Sequence, residues 1–323
     1  MRTLLQNRWF TMPAFCALLI VAPLILRSEY VIHCLVLTFI LAIFALGYDL
    51  VVGRTGQVSL GHQAFFGVGA YVTAVLAVRL QLSPWLCLPA CLIFALILSV
   101  VIGYISLRMR GAFFAIVTLA FAMMIWLFVK GWRGVTGGEF GIVGIPPLTI
   151  SIPLLPRITF DSPFSFYYLT LAFLLLSIYC LSRVLDSRLG RAVAALRENE
   201  ERASTLGINA LRYYIVVFAL GGMVSSLAGF AYAAYMASVT PIVLSVNYMI
   251  KGLIMIIVGG SGTLGGPLLG AFIVVLIPEL LRATQELQLI FFGVVLVVFV
   301  ILMPQGIYPS LVRLWKRKIT PRR

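Results

Sequence analysis

The chain has 323 residues, of which 62% are apolar and only 11% charged, and its mean hydropathy is +1.09. Those values exclude a water-soluble globular domain and describe a polytopic membrane protein. A net charge of +14 invites a nucleic-acid reading, but the cations lie dispersed between apolar runs without a basic stripe or interleaved stacking aromatics. Nucleic acid is therefore excluded as a partner, and the charge reports orientation in lipid.

Apolar runs near 10–26, 31–52, 60–79, 84–107, 112–130, 166–182, 213–237, 248–259, 266–281 and 288–303 predict about ten spans. The expected fold class is all-α, a polytopic integral membrane helical bundle that includes broken or short helices. The first run follows a charged start, as in a signal peptide, but lacks a small-residue cleavage site, so a retained first helix is expected.

The second run leads into "VVGRTGQVSLGHQAFFGVGAYV", residues 51–72, where an arginine, a glutamine, a histidine and five glycines interrupt lipid-soluble sequence. Gly53, Gly56, Gly61, Gly67 and Gly69 permit the main chain to unwind or neighbouring helices to approach closely. Unwound backbone at membrane depth survives only where protein buries it or where it lines a wet cavity. Tyr48, Asp49, Gln57, Ser59, His62 and Gln63 surround the break. Asp49 and His62 read either as interhelical hydrogen-bonding residues or as ligands of a solute, since an ionisable group in a span is a functional-site candidate.

Further along, Cys87 and Cys91 share a helical face with no histidine or carboxylate near them in sequence; with Cys16, Cys34 and Cys180 they read as packing residues rather than metal ligands or disulfides. Residues 131–165 form the longest connection opposite the charged loops, rich in Gly and Pro and expected to be irregular or partly re-entrant. Residues 183–212 hold six arginines and the acids Asp186, Glu198, Glu200 and Glu201. Arg197 and Glu201 stand four apart, as do Glu198 and Arg202, so both pairs are placed to join on one helix face. Residues 195–209 are expected to form a helix ended by Gly207, of the kind a membrane subunit presents to a cytosolic partner, although a solvated loop is the plainer alternative.

A second glycine-rich interruption, "IVGGSGTLGG" at 257–266, echoes residues 51–61: an apolar pair, then Gly-x-Ser/Thr-Gly, then Leu-Gly. Two such interruptions far apart in one chain mark broken helices around a translocation path, or else close packing through small residues. Gly53, Gly56, Gly259, Gly262 and Gly265 join Tyr48, Asp49, Gln57, Ser59 and His62 as path candidates. Gly260, Gly262 and Gly265 satisfy a literal GxGxxG, but no strand precedes them and the surroundings read as membrane helix, so a dinucleotide site is not expected.

Placing both termini in the cytoplasm puts 17 of the 24 basic residues inside, including the cluster at 183–212 and the basic tail at 313–323. That bias orients the chain under the positive-inside rule. No polar stretch exceeds about 35 residues, too little for a soluble domain, so residues 1–323 are expected to form a single transmembrane domain. Ten carboxylates and two histidines, most of them scattered, do not assemble a catalytic constellation or a metal site.

Three segments carry a family resemblance: "GYDLVVGRTGQVSLGHQAFFGVGAYVTAVL"; "RGAFFAIVTLAFA" with "TGGEFGI"; and "GRAVAALRENEERASTLGINALRYYIVVFALGGMVSSLAGFAYA" leading to "GGSGTLGGPLLGA". Over residues 47–271 and in this order, the chain resembles the permease subunits of ATP-binding-cassette importers for branched-chain amino acids, of the LivM type, a family that also includes urea and amide permeases. The resemblance implies that "ENEERASTLGIN" docks on ATPase subunits, with Glu201, Ala203 and Gly207 at motif positions and Arg197 and Glu198 beside them. Arg202 stands where an apolar or small residue is usual. It also implies a multi-pass protein of the bacterial inner membrane, surrounded by lipid and working with a second homologous permease, two cytosolic ATPases and a periplasmic solute-binding protein. ATP would be used by those partners, consistent with the absence of a Walker A motif here, and the chain itself would carry no cofactor. A self-sufficient secondary transporter or channel is the rival class; Asp49, Glu279 and Glu286 are its only intramembrane carboxylates.

Overall fold

Apolar side chains dominate the runs read above, and each run in the described region folds as a helix. The computed structural model describes residues 23, 28–150, 158–280, 293 and 305–319. The expected spans at 10–26 and 288–303, with Cys16 and Glu286, lie outside these residues apart from two isolated positions, and so does the end of the basic tail.

The chain runs through α1 (Glu29–Thr55), α2 (His62–Val78), α3 (Pro84–Ser106) and α4 (Ala112–Gly131). A single turn, α5 (Arg133–Thr136), and a 3-10 turn (Gly138–Phe140) precede the short strands β1 (Ile142–Val143), β2 (Thr149–Ile150) and β3 (Ile158–Thr159). Then come α6 (Pro163–Asp186), α7 (Arg188–Glu198), α8 (Glu200–Thr205) and α9 (Ala210–Met236). Strand β4 (Ser238–Val239) and a 3-10 turn (Pro241–Leu244) lead to α10 (Val246–Gly259), α11 (Gly266–Leu280) and α12 (Ile307–Ile319). Among the described residues, α1, α3, α4, α6 and α9 are long and apolar enough to cross a membrane.

Two helices form the centre. α9 packs along α1, α2 and α3, while α1 also receives α6 and α11. Small residues make these approaches possible. A Cβ on Gly47 would sit 2.6 Å from the Gly221 carbonyl and one on Gly221 would sit 2.6 Å from the Gly47 carbonyl, so the backbones of α1 and α9 touch. Gly229 faces the Phe66 carbonyl of α2 in the same way, and Ser226 donates from Oγ to the Cys91 carbonyl of α3 at 3.0 Å. In hydrocarbon, where burying apolar surface gives no advantage between helices, such backbone-level packing is the main source of association. By contrast, α3 and α4 turn outward a broad apolar surface including Ile93, Phe94, Ile97, Phe113, Ile116 and Phe128.

Within the 131–165 connection, the described residues 131–150 and 158–165 are held by pairing more than their composition suggests. β1 pairs antiparallel with β4, Ile142 opposite Val239, and β2 pairs with β3, Thr149 opposite Thr159. Gly144 and Ile145 both donate backbone N–H groups to the Ala237 carbonyl, tying this connection to the end of α9. Lys130 pairs with Glu139 here at 2.7 Å.

α10 and α11 have 14 and 15 residues, roughly 21 and 22 Å at the helical rise, short of the roughly 30 Å hydrocarbon slab. They form an antiparallel hairpin: Gly259 meets Gly266 at the turn, and one helical turn away Gly270 meets the Met255 carbonyl.

Candidate functional site

The glycine-rich interruption at 51–61 is a true break. α1 stops at Thr55, Gly56 adopts the left-handed conformation (φ 75°) and α2 restarts at His62. Thr55 Oγ1 turns back to the Val51 carbonyl at 2.7 Å and accepts the Gln57 amide at 3.2 Å, so one hydroxyl closes the helix end. The linker is held to α4 by Thr118, whose hydroxyl accepts the Leu60 amide at 3.0 Å and whose carbonyl leaves no room for a side chain on Gly61.

The candidates of the first break divide into two clusters. In one, Tyr48 donates its hydroxyl to the Ser59 carbonyl at 2.5 Å and stacks on His62 with ring centroids 4.8 Å apart and planes 2° from parallel. His62 Nδ1 lies 3.2 Å from Ser59 Oγ, and Phe65 and Phe218 meet the imidazole edge-on. Tyr48, Ser59 and His62 are fully buried, and His62 Nε2 and the Gln63 amide have no hydrogen-bond partner among the described residues. Gln57 is only partly buried, and its Oε1 has no partner among them either. This cluster staples the break shut from inside.

The second cluster unites the two echoing interruptions. Asp49, buried on α1, accepts the Gly262 backbone N–H at Oδ1, 2.8 Å away. Between them lies Gly53, where a Cβ would overlap both the Asp49 carboxylate and the Gly262 nitrogen. The α10–α11 turn is therefore seated against the cytoplasm-facing end expected for α1. Thr263 organises the turn itself, donating to the Gly260 carbonyl at 2.8 Å and accepting from the Gly266 amide at 3.0 Å. Its outer side is covered by the start of α12: Gly265 faces the Tyr308 ring and Gly260 the Pro309 ring. Thr118, Tyr308 and Pro309 carried no sequence signal, because their roles arise only once distant segments meet.

The charged segment stands on the same end of the bundle. It is two helices rather than the single helix expected at 195–209: α7 ends at Glu198, Asn199 is extended (φ −160°, ψ 107°), and α8 restarts at Glu200. The cause is local, since Asn199 caps α8 by accepting the Arg202 amide at 2.9 Å, just as Ser187 caps α7 and Asn209 caps α9. The break destroys the four-residue register, and neither Arg197–Glu201 nor Glu198–Arg202 forms an ion pair among the described residues. Glu200 instead pairs with Arg110 of the α3–α4 loop at 2.9 Å. Glu198, Glu201 and Arg202 are exposed, Ala203 is buried, and Leu206 is 79% exposed beside Gly207, whose φ is 82°. A cleft of about 620 Å³ between Arg108, Arg110, Glu200, Ser204, Gly207 and Tyr214 separates this segment from the α3–α4 loop. Arg197 points the other way, toward the glycine breaks: a Cβ on Gly56 would lie 3.7 Å from its Cγ, and one on Gly262 would lie 3.1 Å from its Nη1.

Known proteins resemble this chain over most of its length. Residues 30–300 match the model of the family described as branched-chain amino acid transport system / permease component. The chain is 31% identical over 291 residues to the high-affinity branched-chain amino acid transport system permease protein LivM of Escherichia coli, covering 84% of this chain and 68% of that one. It is 25% identical over 290 residues to the LivH permease protein of Salmonella typhimurium, covering 82% and 90%, and 23% identical over 291 residues to a probable LivM of Methanocaldococcus jannaschii, covering 83% and 78%. No solved structure matches the chain significantly. By the extent of the family match and the identity to these relatives, the chain belongs to the family of branched-chain amino acid transport system permease components.

Proposed function

We propose that the chain is a membrane-spanning subunit of an ATP-driven importer whose solutes are branched-chain amino acids, with both termini in the cytoplasm. Family membership supports the permease role, and its similarity to both LivM and LivH relatives supports pairing with a second, related permease. The observation that carries the coupling role is the 187–209 segment. Three capped helix starts fix its path, yet most of its charged side chains and Leu206 remain exposed. An ordered, charged ledge with an exposed leucine, too short to form a domain, suits a cytosolic ATPase as its cover. A periplasmic binding protein would deliver the solute, and residues 1–323 would act as one permease domain.

The path candidates around Tyr48, Asp49 and His62 are buried within this chain and act here as helix-joining groups. Their role in transport is to hold and release the breaks rather than to touch solute. Uptake of labelled leucine in cells expressing the full set of subunits tests the substrate class. Isoleucine and valine should compete for uptake, and urea and acetamide should not; competition by urea alone would move the chain to the amide carriers.

A further inference from the structure

We infer that Arg197 is a positioning residue that links movement of the charged segment to both glycine breaks at once, an inference that rests on the importer reading above. Its side chain leaves the last turn of α7 and lies across two glycines from different interruptions, with Cγ facing Gly56 and Nη1 facing Gly262. Both glycines have positive φ, 75° and 74°, so neither position readily accepts a side chain that would push the arginine away.

On the far side of Gly262 stands Asp49, bonded to its amide. A cation and an anion therefore both lie against one backbone turn, with no direct ion pair between them among the described residues, and the guanidinium adds its charge to the larger effect of Arg54 on the carboxylate. Arg197 is also freed from the alternative partner that its spacing offered, because Asn199 interrupts the helix before Glu201. Displacing α7 by a partner protein thus drags a guanidinium past the end of α1 and the α10–α11 turn together. The physical element is contiguous: α7, then Arg197, then Gly262, then Asp49 and Gly53 of α1. Arg197 is itself exposed, as are Glu201, Arg202 and Leu206, and it is set apart by its place against Gly56 and Gly262, so transmission falls on Arg197 and docking on the other three.

The test is a double-mutant cycle with Arg197→Ala and Asp49→Asn in the reconstituted importer, read as solute-stimulated ATP hydrolysis, with co-purification of the ATPase subunits scored in parallel. Each single variant should keep the ATPases bound and lower stimulation by about tenfold, the usual scale of coupling between sites. The double variant should lose little more, since each change removes one of the two charges that lie against the same Gly262 turn. Arg197→Lys, which retains the charge and most of the reach, should recover most of the stimulation. Losses that multiply to about a hundredfold in the double variant would show independent sites and overturn the linkage. Unchanged stimulation in Arg197→Ala, or loss of the ATPases from that variant while the parent retains them, would overturn it equally. A parent chain that binds no ATPase would instead overturn the importer reading, and the linkage with it.

Discussion

Asp49 and Gly262 stand 213 residues apart and are joined by a 2.8 Å hydrogen bond from the glycine amide to the carboxylate. The bond fixes one end of the longest-buried helix to the turn of a hairpin too short to cross the membrane alone. Removing its acceptor leaves a part-buried N–H without that partner, at a cost of at most about 1–3 kcal/mol. Asp49→Val should therefore lower the unfolding temperature of the detergent-solubilised protein by several degrees, and Asp49→Asn, which keeps an acceptor oxygen, should lower it less. Equal stability in all three proteins would remove the bond from the account.

Gly53 and Gly56 make opposite demands. At Gly53 the conformation is helical and space is lacking; at Gly56 the conformation is left-handed and space is open except toward Arg197. Gly53→Ala must push the α10–α11 turn off α1, costing about 1–3 kcal/mol or more by overpacking. Gly56→Ala pays only the left-handed backbone term, about 1–2 kcal/mol, and Gly56→Asn less. Thermal unfolding of the three variants should rank Gly53→Ala as the least stable; the reverse order would contradict the packing described.

His62 is held by rings rather than by charge, through the Tyr48 stack and the edges of Phe65 and Phe218. His62→Gln should lose the stack, worth about 0.5–1.5 kcal/mol, while uptake between about pH 6 and 8, where a free histidine titrates, keeps the parent's profile. A pH dependence abolished by the substitution would assign the imidazole a proton-linked role instead.

Gly207 ends the charged segment at φ 82° with nothing near enough to meet a side chain. Conformation alone is at stake, so Gly207→Asn should keep most solute-stimulated ATP hydrolysis, whereas Gly207→Val, β-branched and averse to this region, should lose most of it. Equal activity in both would leave the exit angle into α9 without consequence.

At the opposite end of the bundle, the Lys130 ammonium, hydrogen-bonded to Glu139 and adding its charge, holds that carboxyl below the usual glutamate range. A depressed folded-state pKa gives a stabilising contribution that is present above the unfolded pKa and lost as pH falls through the folded one. Because the group is fully exposed, solvent screens the pair. Glu139→Gln should leave stability at neutral pH nearly unchanged and flatten only its decline in acid, as measured by unfolding at a series of pH values.

How much of this was legible in the sequence depends on the range of the interaction. The runs at 31–52, 84–107 and 213–237 became α1, α3 and α9 because an apolar helix in lipid satisfies its own backbone and needs no information from elsewhere. The echo between 51–61 and 257–266 was visible as composition, and it marked two segments that do meet. What composition did not carry was the partner: Thr118 is an ordinary residue of an apolar helix and Tyr308 of a basic amphipathic one until the fold brings them to the linker and the hairpin turn. The helix expected at 195–209 divides at Asn199. An asparagine followed by two acids is a helix start in its own right, and at Asn199 that local rule prevailed over the longer periodicity.

The central claim is that ATP hydrolysis in partner subunits, reaching this chain through the 187–209 segment, drives its movement. The most direct measurement is uptake of labelled leucine into proteoliposomes containing the assembled importer, with the energy source varied. The account predicts uptake that requires ATP on the ATPase side together with the solute-binding protein, and that stops when hydrolysis is blocked. Uptake by this chain alone, driven by a proton or sodium gradient with no ATPase present, would contradict it.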